Sequence, residues 1–269
     1  LLSIYYSGRA QNNIRGPFTK ADSLRGALSA ERSCYDVVCY DLSIVFDIET
    51  HSVSGRNVIY YNIINDFRRL QFDLFANLQV DSVVFEGKRL QVEREANAVF
   101  VSFPVIQPKG LKGAITIYYH GQPQIARRPP WDGGFVWTQD TLNRPWVSVA
   151  CQGTGASCWW PVKDHLSDEP DSMRLSFTAP KSLTCVSNGQ FRGERLLPDG
   201  HQKVTEWFVS YPINTYNVTF CLGHYAHIAD TYNGLNGDLA LDYYVLDYNK
   251  MRARKHFEQV KPMLDCFEK

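Results

Sequence analysis

Between Tyr40 and Ile48 every second residue is strongly apolar: Tyr40, Leu42, Ile44, Phe46 and Ile48 alternate with Asp41, Ser43, Val45 and Asp47. Successive side chains of a strand point to opposite faces, so this alternation predicts an extended segment with one face on a core. A helix would repeat its apolar residues every three to four positions instead. Further strand-like runs follow at 58–64, 70–74, 80–85, 89–93, 99–103 and 114–119. Breakers such as Ser54-Gly55, Asn65-Asp66, Glu86-Gly87 and Pro108-Lys109-Gly110 separate them. So many short strands without intervening helices predict a mainly β chain, an antiparallel sandwich or saddle. A second set is expected at 173–178, 183–187, 204–209, 216–221 and 224–229. Residues 121–145, with Pro129-Pro130-Trp131-Asp132-Gly133-Gly134, read as a long ordered loop.

The ends read differently. Residues up to about Pro17 are polar and suit a surface arm, and Thr19-Lys20-Ala21-Asp22 reads as a capping box that opens a short helix before Leu24 and Leu28. Asn233-Gly234-Leu235-Asn236-Gly237-Asp238 marks a candidate domain boundary ahead of a new apolar segment, 239–246. Beyond it the period becomes helical: Ala253, Phe257, Val260, Leu264 and Phe267 form one stripe of a helix starting near Tyr248 or Asn249, which Pro262 is expected to bend. The division predicted is therefore an arm and helical lead-in over 1–34, a β-domain over 35–234, and the start of a second domain over 235–269.

Several partner classes fall away on composition. Lys+Arg and Asp+Glu are both 28, and no basic stripe interleaves with aromatics, so nucleic acid is not an expected partner. No run approaches the roughly 18 consecutive apolar residues of a membrane helix. The first residues lack the basic and long apolar regions of a leader, and the compartment, periplasmic, secreted or cytoplasmic, stays open. The seven cysteines are odd in number, widely spread and without a Cys-x-x-Cys pair, which argues against a disulfide framework or a structural zinc site.

A self-contained active site is not legible. The sequence has no His-Glu-x-x-His, no Walker loop, no Gly-x-Gly-x-x-Gly and no Gly-x-Ser-x-Gly elbow. His224 and His227, three apart on a predicted strand, point to opposite faces. Asp168-Glu169-Pro170-Asp171 reads as a solvated turn ahead of a strand. The unusual segment runs from Val149 through Cys151-Gln152-Gly153-Thr154-Gly155-Ala156-Ser157-Cys158-Trp159-Trp160-Pro161 to His165. Small residues followed by paired tryptophans suit a wall of a narrow cleft, and equally a buried tight turn beside core tryptophans.

At this segment the chain resembles a known family. Cys151-Gln152, Trp160-Pro161-Val162-Lys163-Asp164, Asp168-Glu169-Pro170 and the strand from Met173 to Pro180 resemble the stretch ending the cleft wall of the N-terminal domain in aminopeptidase N and leukotriene hydrolase relatives. Residues 129–137 look like a variant of one bacterial branch. The resemblance extends over about 35–269, and its central segment is of motif grade.

That resemblance implies a non-catalytic N-terminal β-domain of a zinc aminopeptidase, which removes N-terminal residues from peptides. Gln152 would help bind the free amino end of the substrate, beside an acidic residue of the catalytic domain, with Gly153 and Trp160 as the further substrate-binding candidates. Relatives that carry Glu at the Gln152 position bring a charge that this chain lacks. Zinc belongs to a thermolysin-like domain whose His-Glu-x-x-His helix and later Glu hold the metal, while the intervening Glu activates water. Residues 239–269 look like that domain's opening strand and helix, so this chain is expected to bind no zinc and to be silent by itself. The competing readings are a self-contained β-sandwich binding module for protein or carbohydrate, with Trp131, Trp137, Trp159 and Trp160 on its surface, and a degenerate relative kept as a scaffold.

Overall fold

A computed structural model describes residues 17–269, so the predicted surface arm lies almost wholly outside the described residues. The lead-in forms as its capping box predicts. Helix α1 (Lys20–Gly26) starts at Thr19, whose hydroxyl accepts from the Asp22 amide while the Asp22 carboxylate accepts from the Thr19 amide. A second short helix, α2 (Ala30–Ser33), is capped by Ser29.

The strands then run β1 (Tyr35–Asp47), β2 (Ser52–Ile63), β3 (Phe67–Asp73), β4 (Leu78–Phe85), β5 (Lys88–Arg89), β6 (Gln91–Glu95), β7 (Ala98–Gln107) and β8 (Lys112–Gly121). They continue with β9 (Gly134–Gln139), β10 (Pro145–Ala150), β11 (Ser172–Pro180), β12 (Thr184–Ser187), β13 (Gln190–Leu196), β14 (Gln202–Val209), β15 (Phe220–Gly223), β16 (Tyr225–Gly234) and β17 (Gly237–Leu246). Among the described residues an eight-stranded sheet has the order β13-β14-β11-β1-β2-β8-β4-β5, with smaller sheets β12-β15-β10-β9 and β3-β7-β6 and the hairpin β16-β17. Among the described residues the strand-to-strand ladders are antiparallel except β1 with β11, and the isolated bridge of Ile125 with Phe135 is also parallel. The mainly β, largely antiparallel architecture is the one the alternation predicts.

The core lies between the large sheet and the two smaller ones. Leu42, Ile44 and Phe46 of β1 are essentially inaccessible while Val45 between them is exposed. Phe46 packs on Phe220 of β15 at 4.6 Å between ring centroids, and Tyr61 of β2 meets Phe67 of β3 at 6.3 Å. One face of the eight-stranded sheet is thus covered twice, and burial of its aromatic side chains at roughly 25 cal/mol per Å² supplies most of the drive for the arrangement.

Tertiary packing changes several local expectations. Residues 121–145 are not all loop: Phe135 is fully buried, and its strand β9 pairs with β10 from Gly134 to Gln139, so turn chemistry is left to the residues before Gly134 and to the 140–144 turn that joins the two strands. In the first of these Asp132 accepts from the amides of Arg127 and Arg128. The strand expected at 216–221 opens as a 3-10 turn, Thr215–Asn217, capped by Asn214, and only Phe220–Gly223 is extended. The solvated turn expected at 168–171 holds a buried carboxylate, because Asp168 pairs with buried Lys163 and accepts from the Val37 amide.

The boundary expected at 233–238 falls on the tip of a hairpin. β16 and β17 pair continuously from Tyr225 with Leu246 to Gly234 with Gly237, so a division at 234 and 235 would cut through a continuous ladder. The base of that hairpin is tied to the β-domain by Trp146 Nε1 donating to Tyr225 Oη at 2.6 Å and by Arg144 donating to both oxygens of Asp247.

The helical stripe forms two helices, α3 (Lys250–Phe257) and α4 (Val260–Phe267). Pro262 has no N–H for the Glu258 carbonyl, so the chain restarts at Gln259 with the proline in the first turn of α4, where a missing donor costs nothing. Both helices lean on the hairpin: Phe257 stacks on Tyr243 at 4.2 Å, and Tyr232 Oη donates to Asp265 and Glu268. Among the described residues no helix is long and apolar enough to cross a membrane.

Candidate functional site

Strand β10 delivers Cys151 into a tight turn. The Cys151 carbonyl accepts from the amides of Thr154 at 3.1 Å and Gly155 at 2.9 Å, and from the Thr154 hydroxyl at 3.2 Å. Gly155 has φ of +81°, and a Cβ there would run into the Asp164 carboxylate, so glycine is required twice over. The 3-10 turn Ala156–Cys158 then carries the chain inward to Trp159 and Trp160.

Asp164 closes this segment on itself. Its Oδ2 accepts from the Ser157 amide at 3.0 Å and the Ser157 hydroxyl at 2.6 Å. The Asp164 amide in turn donates to Asp73 Oδ2 at 3.1 Å, and Asp73 exchanges backbone hydrogen bonds with Val162. The other Asp73 oxygen accepts from Arg32 at 2.7 Å and Gln71 at 2.9 Å. Burial pushes the Asp73 carboxyl up to about 6 even though Arg32 and these donors pull it down. Arg32 also donates to the carbonyls of Leu24, Arg25 and Ala27, so one guanidinium joins the lead-in helix, β3 and the 157–164 segment.

On the other side, Lys163 Nζ donates to Asp168 and to the Tyr35 carbonyl, and the Lys163 amide donates to Tyr40 Oη at 3.1 Å. Burial raises the Asp168 carboxyl, with Lys163 opposing. These buried pairs are costly to form and worse to break, so they hold the 151–168 segment in one position relative to the sheet.

The three residues singled out for substrate occupy different environments. Gln152 is exposed on the turn, and its Oε1 accepts from Tyr216 Oη at 2.5 Å. Gly153, also exposed, has φ of +70° and offers its carbonyl to Arg25 Nη2 at 2.5 Å. Trp160 is fully buried, edge-on to Tyr40 at 4.8 Å, and Trp159 is equally buried among Phe135 and Phe220. Both tryptophans therefore act on this surface only by supporting it from beneath. A hollow of about 200 Å³ lies between α1, Asp73, Phe75, Asn97, Ser157 and Asp164, and none of the three lines it. Of the four surface aromatics of the binding-module reading, Trp159 is buried and Trp137 is half-buried, stacked on His51 and Phe135.

The residues that orient this turn escaped sequence reasoning. Tyr216 lies 64 positions after Gln152 and Arg25 lies 128 before Gly153, and no local pattern announces either contact. Asn214, a turn capper ahead of Tyr216, is the one local signal near them. Among the described residues no group of three or more His, Cys, Asp or Glu is arranged to hold a metal ion. The nearest acids, Asp73 and Asp164, are committed to Arg32, Gln71 and Ser157.

No protein-family model matches the chain. Solved structures do: an M1 zinc metallopeptidase from Deinococcus radiodurans bound to a Tyr-Ser-Ala substrate is similar with a TM-score of 0.66 and 19% identity, over 78% of this chain and 47% of that one. Another structure of an M1 zinc metallopeptidase from Deinococcus radiodurans gives a TM-score of 0.62 and 19% identity, over 77% of this chain and 46% of that one. A two-domain M1 zinc metallopeptidase bound to L-tryptophan gives 0.65 and 18%, over 78% and 48%. Among curated proteins, transcription initiation factor TFIID subunit 2 of Drosophila melanogaster is 28% identical over 89 residues, 33% of this chain and 7% of that protein. The chain thus has the fold of part of the M1 metallopeptidases and spans just under half the length of the structures it matches.

Proposed function

We propose, from this M1 metallopeptidase fold, that the chain is the non-catalytic N-terminal β-domain, with the opening of the next domain, of a zinc-dependent aminopeptidase. The observation that carries the reading is the fold likeness over 78% of the chain to a metallopeptidase that binds a tripeptide. In this reading the 151–155 turn is one wall of the substrate cleft and Gln152 receives the peptide's free amino end. A carbonyl oxygen has two lone pairs, so Tyr216 takes one and orients the amide while the second accepts from an ammonium group. A neutral amide supplies no Coulomb attraction, which leaves the charge of the amine to an acidic group of the catalytic domain. Zinc and the water it activates belong to that domain as well.

A second reading, a degenerate relative that serves assembly instead of catalysis, is favoured by the sequence likeness to TFIID subunit 2. The test measures peptidase activity on aminoacyl reporter substrates with zinc, for this chain, for a longer chain of the same protein, and for the longer chain with Gln152→Ala. A silent short chain, a zinc-dependent longer one and a sharp loss with Gln152→Ala, mainly in KM, are expected. A longer chain that binds no zinc and cleaves nothing would sink the peptidase reading and leave the assembly one.

A further inference from the structure

Charge balances over the whole chain, 28 Lys+Arg against 28 Asp+Glu, yet four cations converge on one groove. Strand β6 pairs with β7 only as far as Gln91, opposite Ser102, while Lys88 and Arg89 just before it belong to the large sheet through β4. The chain therefore crosses between sheets at Leu90, and a hollow of about 560 Å³ opens between that crossing and β7. Ligand pockets span roughly 300–1,000 Å³, so this one is large enough to hold several groups of a partner. Arg68 and Arg69 of β3 and Lys88 and Arg89 of β5 line it, and among the described residues no carboxylate does. Arg68 donates to the carbonyls of Phe103 and Pro104, which leaves its charge uncancelled. Arg69 lies over the Phe100 ring and meets Glu93. The side chains of Lys88 and Arg89 are exposed and have neither ion pair nor hydrogen bond among the described residues.

The floor of the groove is apolar. Leu90 forms part of it, beside Phe103, which is buried edge-on against Phe67 and Phe85. Pro104 lines the groove too, and the two residues after it, Val105 and Ile106, are 63% and 61% exposed. They sit in a bulge of β7, where residues 103–106 stand against Arg68 alone between the pairs Arg69 with Ser102 and Phe67 with Gln107. A partner that supplied charge alone would leave this apolar surface in water. Nucleic acid would find no free ring to stack on, since Phe103 is buried and Phe100 lies under Arg69. We infer that the groove docks an extended acidic segment of another protein, in which apolar side chains alternate with carboxylates. Alternation in an extended chain turns the apolar side chains to the floor and the carboxylates away from it, toward the heads of the long cationic side chains at the rim. Lys88 and Arg89 have no ion pair to break, so they carry most of the attraction, which salt weakens. Residues 1–16 of this chain, with Arg9 and Arg15 and no acid, lack that chemistry. No residue of the 151–168 segment lines the groove, and the inference stands whether or not the peptidase reading does.

The test follows the fluorescence anisotropy of a short labelled peptide of alternating glutamate and leucine as the 269-residue chain is added. Binding is expected, with affinity falling about tenfold or more for the double variant Lys88→Glu with Arg89→Glu. Arg254→Glu with Lys255→Glu, which reverses two exposed charges of α3, is expected to leave it unchanged. Peptides with glutamine for glutamate, or glycine for leucine, are expected to bind at least about tenfold more weakly, because each removes one half of the complementarity. No binding, or an equal loss from the two double variants, overturns the proposal. So does a glutamate–glycine peptide, inorganic phosphate or a single-stranded oligonucleotide that competes as well as the parent peptide, since the groove would then hold any anion. Amide hydrogen exchange of the unsubstituted chain decides the matter even where a variant does not fold: the peptide is expected to protect 88–91 and 102–106, and protection elsewhere alone refutes the site.

Discussion

Replacing Arg32 with Met tests whether one buried ion pair positions the 151–164 segment. Arg32 is fully buried and Asp73 nearly so, and the guanidinium meets one Asp73 oxygen and three backbone carbonyls. Methionine fills much of the stem's volume but leaves a buried carboxylate without its charge partner. Breaking such a pair from one side costs about 3–5 kcal/mol. The cost depends on pH in a calculable direction. Asp73 sits at about 6 in the folded protein against 3.8 ordinarily, so its ionisation already opposes folding as pH rises between those values, by about 3 kcal/mol in all. Without Arg32 that carboxyl moves higher still. Above pH 6 the variant then loses stability relative to the parent by up to about 1.4 kcal/mol per pH unit, until its own raised pKa is passed. Below pH 6 both forms are protonated and only the loss of hydrogen bonds to the carbonyls remains, about 1–3 kcal/mol. Urea titrations followed by the emission of buried Trp159 and Trp160, run from pH 5 to 8, measure this. A deficit under about 1 kcal/mol at pH 8, or one that does not change with pH, would refute the argument.

Other substitutions probe the same segment. Lys163→Met strands Asp168 and is expected to cost about 3–5 kcal/mol, while Lys163→Met with Asp168→Leu recovers most of it; equal losses in urea titrations of the two would show that the charge pair is not what matters. Trp160→Ala is expected to cost about 3–5 kcal/mol, because its cavity lies under Tyr40 with no solvent route to relax it, and a loss below 1 kcal/mol would place Trp160 at the surface instead. Gly153→Ala meets open space and pays only for its positive φ, roughly 1 kcal/mol, whereas Gly155→Ala also collides with Asp164 and loses more. Thermal melts that ranked the two the other way would contradict the geometry of the turn.

Periodicity and turn chemistry by themselves determined the class of this fold. The alternation in β1, the breakers at Asn65-Asp66, Glu86-Gly87 and Pro108-Lys109-Gly110 and the capping box at Thr19 act within a few residues and survive into the structure, whereas Ser54-Gly55, read as a breaker, is paired inside β2. The small residues at 153–155 read as either a cleft wall or a tight turn, and the structure makes them a turn with positive φ at Gly153 and Gly155. Only tertiary structure decided the rest. β9 lies in a stretch whose prolines and glycines read as loop, and it becomes a strand because Phe135 finds the core beside Phe46 and Phe220. Asp168 looks solvated in sequence and is buried because Lys163 reaches it, and the tip at 234–237 looks like a linker because glycine serves hairpins and boundaries alike. Gln152 is oriented by Tyr216 and its turn by Arg25, contacts that span 64 and 128 positions and exist only once the sheets have brought distant loops together. Local sequence specifies what each segment can do alone, and the pairing of buried charges and surface turns depends on neighbours that only the closed fold supplies.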